Sequence, residues 1–407
     1  MTVLISALPP TLLPNLHTLE WEDSRDVFLP LLRALLAPTV KSMVLSRPWD
    51  PSFTKSALLV SLGARCPHIQ KFTCRYDSDS GEQSNALLEA VHCWPKLTHF
   101  DADVLDSRTL AYLASLPSLR SLSFVSFDGT RPKSISTFTS KIDHVEIAAS
   151  SLPVITQCLR NVRFVFCRSM TLRVTSNDHD PLVVRNFILS LLECFPSDLE
   201  KFFVDFDDPE TLSAVESADP HFALGFDAIA PLLLFSRLTV VNLDWICCSF
   251  AFDDAMVKKM AQSWPLLKEF HLASCPDSLI PPSLTFTGLV HLIRHCHHLR
   301  DISMGFRACS IDRNSEPYSD TIPNEKVTCI YVGHSPIDDP MAVACQLHIL
   351  LPNLHLIEYE PALGSPLPSE REWDRVGDFL AVLIDVRSMK QKRAQAQVAT
   401  KESMLLV

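Results

Sequence analysis

Residues 13–21 read LPNLHTLEW, and residues 351–359 read LPNLHLIEY. The two stretches share a proline followed by apolar residues at fixed intervals and no set of reactive side chains, so the recurrence is architectural. Sliding the underlying LxxLxL pattern along the chain finds further copies beginning at Leu16, Val40, Ile69, Leu97, Leu119, Ile142, Leu199, Leu238, Leu267, Leu299, Val327 and Leu354. A weaker copy, Cys167 with Met170 and Leu172, fills the one large gap. The shortest step is 22 residues, from Leu97 to Leu119, and the longest is 39, from Leu199 to Leu238. Most steps fall at the leucine-rich-repeat period of roughly 20–29 residues, and the longer units hold grown loops.

Each copy alternates apolar and polar residues, as in LRSLSF from Leu119 to Phe124, which is the period of a strand with one buried face. A helical stretch is expected ahead of each strand. In DPLVVRNFILSLLECFP, Val184, Ile188, Leu191 and Phe195 share one helical face, Asp180 is placed to cap and Pro181 suits the first turn. LDSRTLAYLASLP, FDDAMVKKMAQSWP and TFTGLVHLIRHCHH repeat that plan. Pro14, Pro38, Pro67, Pro95, Pro117, Pro265 and Pro352 all stand two residues before the first apolar strand position, where a fixed φ and a missing N–H end the helix. One such unit buries too little to order itself, so neighbours must stack. The expected fold is α/β: a leucine-rich-repeat solenoid, or horseshoe, of about thirteen repeats, with a parallel concave sheet and convex helices. It should span residues 1–361, followed by a linker at 362–370 and a C-terminal capping helix and tail at 371–407. Trp373, Val376, Phe379, Leu380 and Leu383 supply the capping face.

Composition narrows the function. The chain has 407 residues, 47% of them apolar, with 36 Lys and Arg against 47 Asp and Glu, a net charge of −11. That charge repels phosphate backbones, so no nucleic-acid partner is expected and a charged partner should be basic. Thirteen cysteines, an odd count without CxxC spacing, suit reduced thiols in the cytoplasm or nucleus. MTVLISALPP lacks the basic start and small-residue cleavage pattern of a signal peptide. No run reaches the roughly 18 apolar residues of a membrane span, so no membrane partner is expected. Neither GxxxxGK nor GxGxxG occurs, and no catalytic constellation stands out, so neither a cofactor nor an enzymatic activity is expected.

The LPNL, LPSL and CPHI strand starts at Leu13, Leu116, Cys66 and Leu351 resemble those of the fungal F-box/LRR-like proteins, over about Leu12 to Pro361. The resemblance implies a solenoid that recruits a target protein, as the substrate-binding part of an F-box-like adaptor of a cullin-type ubiquitin ligase. An F-box in that family docks on a Skp-type adaptor. The first strand start at Leu13 leaves no room for one upstream, so a Skp-type partner is expected only for a longer form. The runner-up is a GTPase-activating leucine-rich-repeat regulator. Such proteins carry an acidic tail, whereas this tail has Arg387, Lys390, Lys392, Arg393 and Lys401.

Strand residues two, four and six places after each first apolar position should face the concave side. They place acids at Glu20, Glu22, Asp101, Asp103, Glu146, Asp205, Asp244, Glu269, Asp301, Glu358 and Glu360, against the bases Lys71, Arg75, Arg173 and Lys201. This acidic excess makes the face the candidate partner-binding surface, for a basic protein target. In HLIRHCHH, His291 and His295 lie four apart, but Cys296, His297 and His298 occupy the helix-exit slot, so no metal site is expected. Cys247 and Cys248 have no activating base nearby in sequence. Gly333-His334-Ser335 lacks the GxSxG frame and gets no catalytic role. Two Pro-, Ser- and Asp-rich insertions, near 205–222 and 308–326, read as loops. With little chain ahead of the first strand, Leu16, Leu19, Val27, Phe28, Leu31 and Leu32 are expected to form a partly exposed apolar edge.

Overall fold

The computed structural model describes residues 12–22, 28–45, 55–74, 81–126, 135–175, 180–206, 225–243, 252–272, 283–309, 321–333, 335–359 and 368–405. A strand forms at each of the LxxLxL copies, and the 13 strands make one sheet in sequential order, β1 to β13. Every strand pairing described is parallel, and the sheet does not close into a barrel. The chain divides into two compact units.

The first unit holds β1 (Thr18–Trp21), β2 (Ser42–Leu45), β3 (Lys71–Cys74), β4 (His99–Val104), β5 (Ser121–Ser126), β6 (Ser136–Ala149) and β7 (Val162–Val174). Its helices are α1 (Leu29–Leu35), α2 (Lys55–Arg65), α3 (Gly81–His92), α4 (Ser107–Ser115), α5 (Leu152–Leu159) and most of α6 (Pro181–Cys194). One row keeps register from strand to strand: Leu19, Met43, Phe72, Phe100, Leu122, Val145 and Met170 are successive Cα partners. All seven are buried, so each repeat seals the apolar face of the one before it. Aromatic contacts thicken this row: Phe72 packs on Trp94 at 4.8 Å and on Phe100 at 6.0 Å between ring centroids.

The second unit holds residues 201–204 of β8 (Lys201–Phe206), then β9 (Val240–Asn242), β10 (Glu269–Leu272), β11 (Asp301–Met304), β12 (Cys329–Tyr331) and β13 (Leu356–Glu358). Its helices are α7 (Phe226–Ile229) with a 3₁₀ turn at Ala230–Leu234, α8 (Asp254–Ser263), α9 (Phe286–His295), α10 (Pro340–Leu350) and α11 (Pro368–Leu405). The equivalent apolar row runs Phe202, Val241, Phe270, Ile302, Ile330, Ile357.

The caps read from sequence form. Asp106 accepts from the Thr109 N–H at 2.8 Å, Asp253 from Met256 at 2.9 Å, and Asp180 from Leu182 at 2.8 Å. The prolines do more than stop helices. Most open a tight turn closed by the following strand anchor, whose N–H donates three residues back: Leu16 to Leu13 at 3.1 Å, Leu97 to Trp94 at 3.1 Å, Leu267 to Trp264 at 3.1 Å and Leu354 to Leu351 at 3.0 Å. The turn also forms at Leu299, which donates to Cys296 at 3.1 Å with His297 in the proline's place. Polar side chains stitch neighbouring turns. Thr39 Oγ1 donates to the Pro14 and Leu16 carbonyls at 2.7 and 2.9 Å, Ser118 Oγ to the Leu97 carbonyl at 2.7 Å, and Asn353 Nδ2 to the Glu325 carbonyl at 2.8 Å.

Two expectations need correction, and a third, the partly exposed edge at the first strand, is met in part. Ahead of β6 the chain is extended instead of helical from Ser136, and Ser136, Phe138 and Ser140 turn inward while Thr137, Thr139 and Lys141 turn out. Phe138 stacks on Phe164 at 4.9 Å, and Phe164 on Phe195 at 5.0 Å, so an aromatic stack anchors this extended run. At the first strand, Leu19 and Leu32 are buried, while Leu16, Phe28 and Leu31 are half-buried; Val27 lies outside the described residues. At the C-terminus the helix begins at Pro368, before residue 371. Its Trp373, Val376 and Leu380 are buried and Phe379 and Leu383 half-buried, as a capping face requires.

Candidate functional site

The side chains that alternate with the buried rows point away from the apolar core and form an open sheet face in each unit. In the first unit one row runs Thr18, Ser42, Lys71, His99, Ser121, His144, Ser169, and the next runs Glu20, Val44, Thr73, Asp101, Ser123, Glu146, Thr171. Glu20 and Glu22 are exposed and Asp101 is half-buried. Ser123 separates Asp101 from Glu146, which puts the two acids two strands, or about 10 Å, apart.

Glu146 is not a free charge. Its Oε1 lies 3.2 Å from Arg173 Nε and its Oε2 lies 3.8 Å from His144 Nε2, with only 16% of the side chain exposed. His144 Nδ1 in turn meets Ser169 Oγ at 3.3 Å. Sequence reading placed the acid and Arg173 on the same face; the sheet brings them together and adds His144, which the rule of alternate positions also marks. Nearby, the His99 imidazole is held below its ordinary pKa by burial and by the Lys71 ammonium, against an opposing pull from Asp143. Asp103 departs from the expected face: it is only 7% exposed, because the β4–β5 register shifts between Ala102 and Val104. A bulge re-aims the side chain that strict alternation would turn outward.

In the second unit the rows are Lys201, Val240, Glu269, Asp301, Cys329, Leu356 and Phe203, Asn242, His271, Ser303, Tyr331, Glu358, of which Val240 and Ser303 are buried. Glu269 and Asp301 are direct register partners, with Glu269 half-buried and Asp301 and Glu358 exposed. Cys329 sits between the acids, and its thiol is pushed up by burial and then by Glu358 and Asp301. Asp205 on β8 is exposed; Asp244, Glu360 and Arg75 lie outside the described residues. The two faces therefore differ. The first unit's central acid is compensated by a base, whereas the second unit aligns Glu269 and Asp301 side by side.

The remaining reactive groups are shaped mainly by burial. Burial pushes the Cys66 and Cys158 thiols up to about 11 and those of Cys167, Cys194 and Cys296 up to about 12, so none of these is a thiolate near neutrality. His291 and His295 are half-buried and held below the ordinary histidine pKa by burial and by Lys258 and Arg294; among the described residues no three His, Cys, Asp or Glu side chains form a metal-holding group. Ser335 is a tie, not a nucleophile. Its Oγ accepts from the Phe306 N–H at 2.9 Å and donates to the Val332 carbonyl, while its own carbonyl accepts from the Trp373 indole at 2.8 Å. Gly333, at φ +54°, makes the turn that presents it. Cys247, Cys248 and His334 lie outside the described residues, as does most of both insertions. No helix among the described residues is long and apolar enough to cross a membrane. Neither protein-family models nor curated proteins match this chain.

Proposed function

We propose that this chain is a leucine-rich-repeat solenoid that recognises a protein partner on its open sheet face, as the target-binding part of an F-box-like ubiquitin-ligase adaptor. What supports the reading most is the sheet: strands stack in sequential order with every apolar row turned inward, leaving a continuous surface of alternating side chains in each unit. Such a surface suits binding, because its positions are rigid and each repeat contributes a few side chains independently. The pairing of Glu269 with Asp301, and Glu358 nearby, favours a partner segment rich in lysine or arginine.

The test is affinity capture from extract with quantitative mass spectrometry, comparing the wild type with Glu269→Lys/Asp301→Lys/Glu358→Lys. Asp301 and Glu358 are exposed and Glu269 is half-buried on the open face, so the variant should fold. One or a few basic partners should be lost at least tenfold from the variant, and their recovery from wild type should fall with added salt. Equal recovery by a folded variant would remove the second unit's acids from the binding surface. Stimulated GTP hydrolysis by a captured small GTPase would instead favour the regulator reading.

A further inference from the structure

The last helix is longer than a cap needs. α11 runs 38 residues, about 57 Å at 1.5 Å per residue. Its inner face ends early: Trp373, Val376 and Leu380 are buried, Leu383 and Ile384 half-buried, and Arg387 Nη1 donates to the Pro352 carbonyl at 3.1 Å. From Met389 to Gln397 every side chain is exposed. On the opposite face a second stripe runs Asp378, Val382, Val386, Met389, Arg393, in steps of four and three that keep all five on one side of the helix. Its three apolar members are 60%, 38% and 53% exposed.

Charge along the helix is divided. Residues 370–385 carry Glu370, Glu372, Asp374, Asp378 and Asp385 against Arg371 and Arg375. Residues 386–397 carry Arg387, Lys390, Lys392 and Arg393 and no acid, in a chain whose net charge is −11. A partner covering the stripe must therefore be basic beside the first half and acidic beside the second. The same helix in a second copy, running the other way, has that distribution. With Val386 at the two-fold axis, Val382 of each copy lies beside Met389 of the other, and Asp378 lies opposite Arg393 twice over. A parallel pair would set acid against acid and base against base. An anionic membrane would attract the basic half but would repel Asp378 and Asp385 beside the same apolar stripe.

We propose that the outer face of α11 is a homodimer surface, on which two copies pair antiparallel about Val386, each Asp378 meeting the other copy's Arg393. The contact is isologous and so closes on itself. Its apolar centre is small, so the dimer should dissociate on dilution.

Sedimentation velocity of the full chain, diluted from about 100 to about 1 μM, reads this directly. The wild type should move from dimer to monomer across that range. Val386→Asp, at an exposed position, should keep the wild-type melting temperature and weaken the dimer at least tenfold. Asp378→Arg and Arg393→Asp should each weaken it at least tenfold, because each places like charges opposite one another. The double variant Asp378→Arg/Arg393→Asp restores opposite charges and should return to within about threefold of wild type. A wild type that stays monomeric throughout, or one that is monomeric and binds vesicles of phosphatidylserine and phosphatidylcholine, overturns the proposal. So does a dimer indifferent to Val386→Asp, which would place self-association elsewhere, or a double variant no better than the single ones.

Discussion

Leu122 shows what one residue carries. It is 0% exposed at the middle of the first unit's apolar row, with Phe100 and Val145 as its register partners. Leu122→Asp buries an unpaired charge between two repeats, and we expect a loss of about 4 kcal/mol or more, read as a lowered denaturant midpoint. A variant with wild-type stability would mean that the row is not packed as described. The opposite case is Ser121, one position earlier on the open face, where polar substitution should cost little. Of the acids on that face, Glu146 is the one whose meaning changed most on folding. Sequence marks it as a charge available to a partner, but the ion pair with Arg173 and the contact with His144 commit it to the sheet itself. That pairing was legible only in part. Alternation places Glu146 and Arg173 on one face, yet the approach of Oε1 to Nε depends on the cross-strand register, which no local pattern encodes. The bulge that buries Asp103 was not legible at all, since nothing in HFDADV distinguishes a shifted strand from a regular one.

Among elements, the turn before each strand is the recurring device. Cys296 has φ −108° and ψ 74°, close to Trp264 at −119° and 61° and Leu351 at −130° and 71°, which precede Pro265 and Pro352. His297 thus stands where the backbone already suits a proline. We expect His297→Pro to stabilise the protein by about 0.5–1 kcal/mol, chiefly by restricting the unfolded chain, and thermal melting checks it. A lower melting temperature would show that the turn at His297 differs from its proline-bearing counterparts. The helices α4, α8 and α9 begin at Asp106, Asp253 and Thr285, each of which caps by a local hydrogen bond between residues close in sequence. The extended run over residues 136–141, ahead of Ile142, is the contrary case. STFTSK alternates and so supports a strand, but only the stack of Phe138, Phe164 and Phe195, drawn from residues far apart in the chain, makes the longer strand worth burying.

At the scale of the whole molecule, buried titratable groups set a pH window. His99, His291, His295 and His348 are all held below the ordinary value of 6.5, first by burial, so the unfolded chain binds more protons than the folded one as pH falls below about 6.5. Their contribution is present above that pH and is lost as pH falls through the folded-state values. Cys66, Cys158, Cys167, Cys194 and Cys296 shift the other way, from 9.0 to about 11 or 12. Their contribution is present below about 9 and is lost as pH rises toward 12, because unfolding frees thiols to ionise. Melting temperature under reducing conditions should therefore peak between about pH 7 and 9 and fall on both sides. A profile flat from pH 5 to 7 would show that these histidines titrate normally in the folded state.

The sequence by itself determined the repeat: the places of the strands, the inward and outward alternation along them, the proline turns and the amphipathic last helix. Each of these is a pattern among residues a few positions apart, and the physics that reads it, the strand period of two, the helix period and the fixed φ of proline, acts over the same short range. Only the tertiary structure decided which of the outward acids are paired within the sheet. Glu146 is neutralised by Arg173, Asp103 is turned in by a bulge, and Glu269 is set beside Asp301. Those outcomes depend on how strands 20 to 40 residues apart come into register, and electrostatic pairing follows distance in space, which separation along the chain does not report.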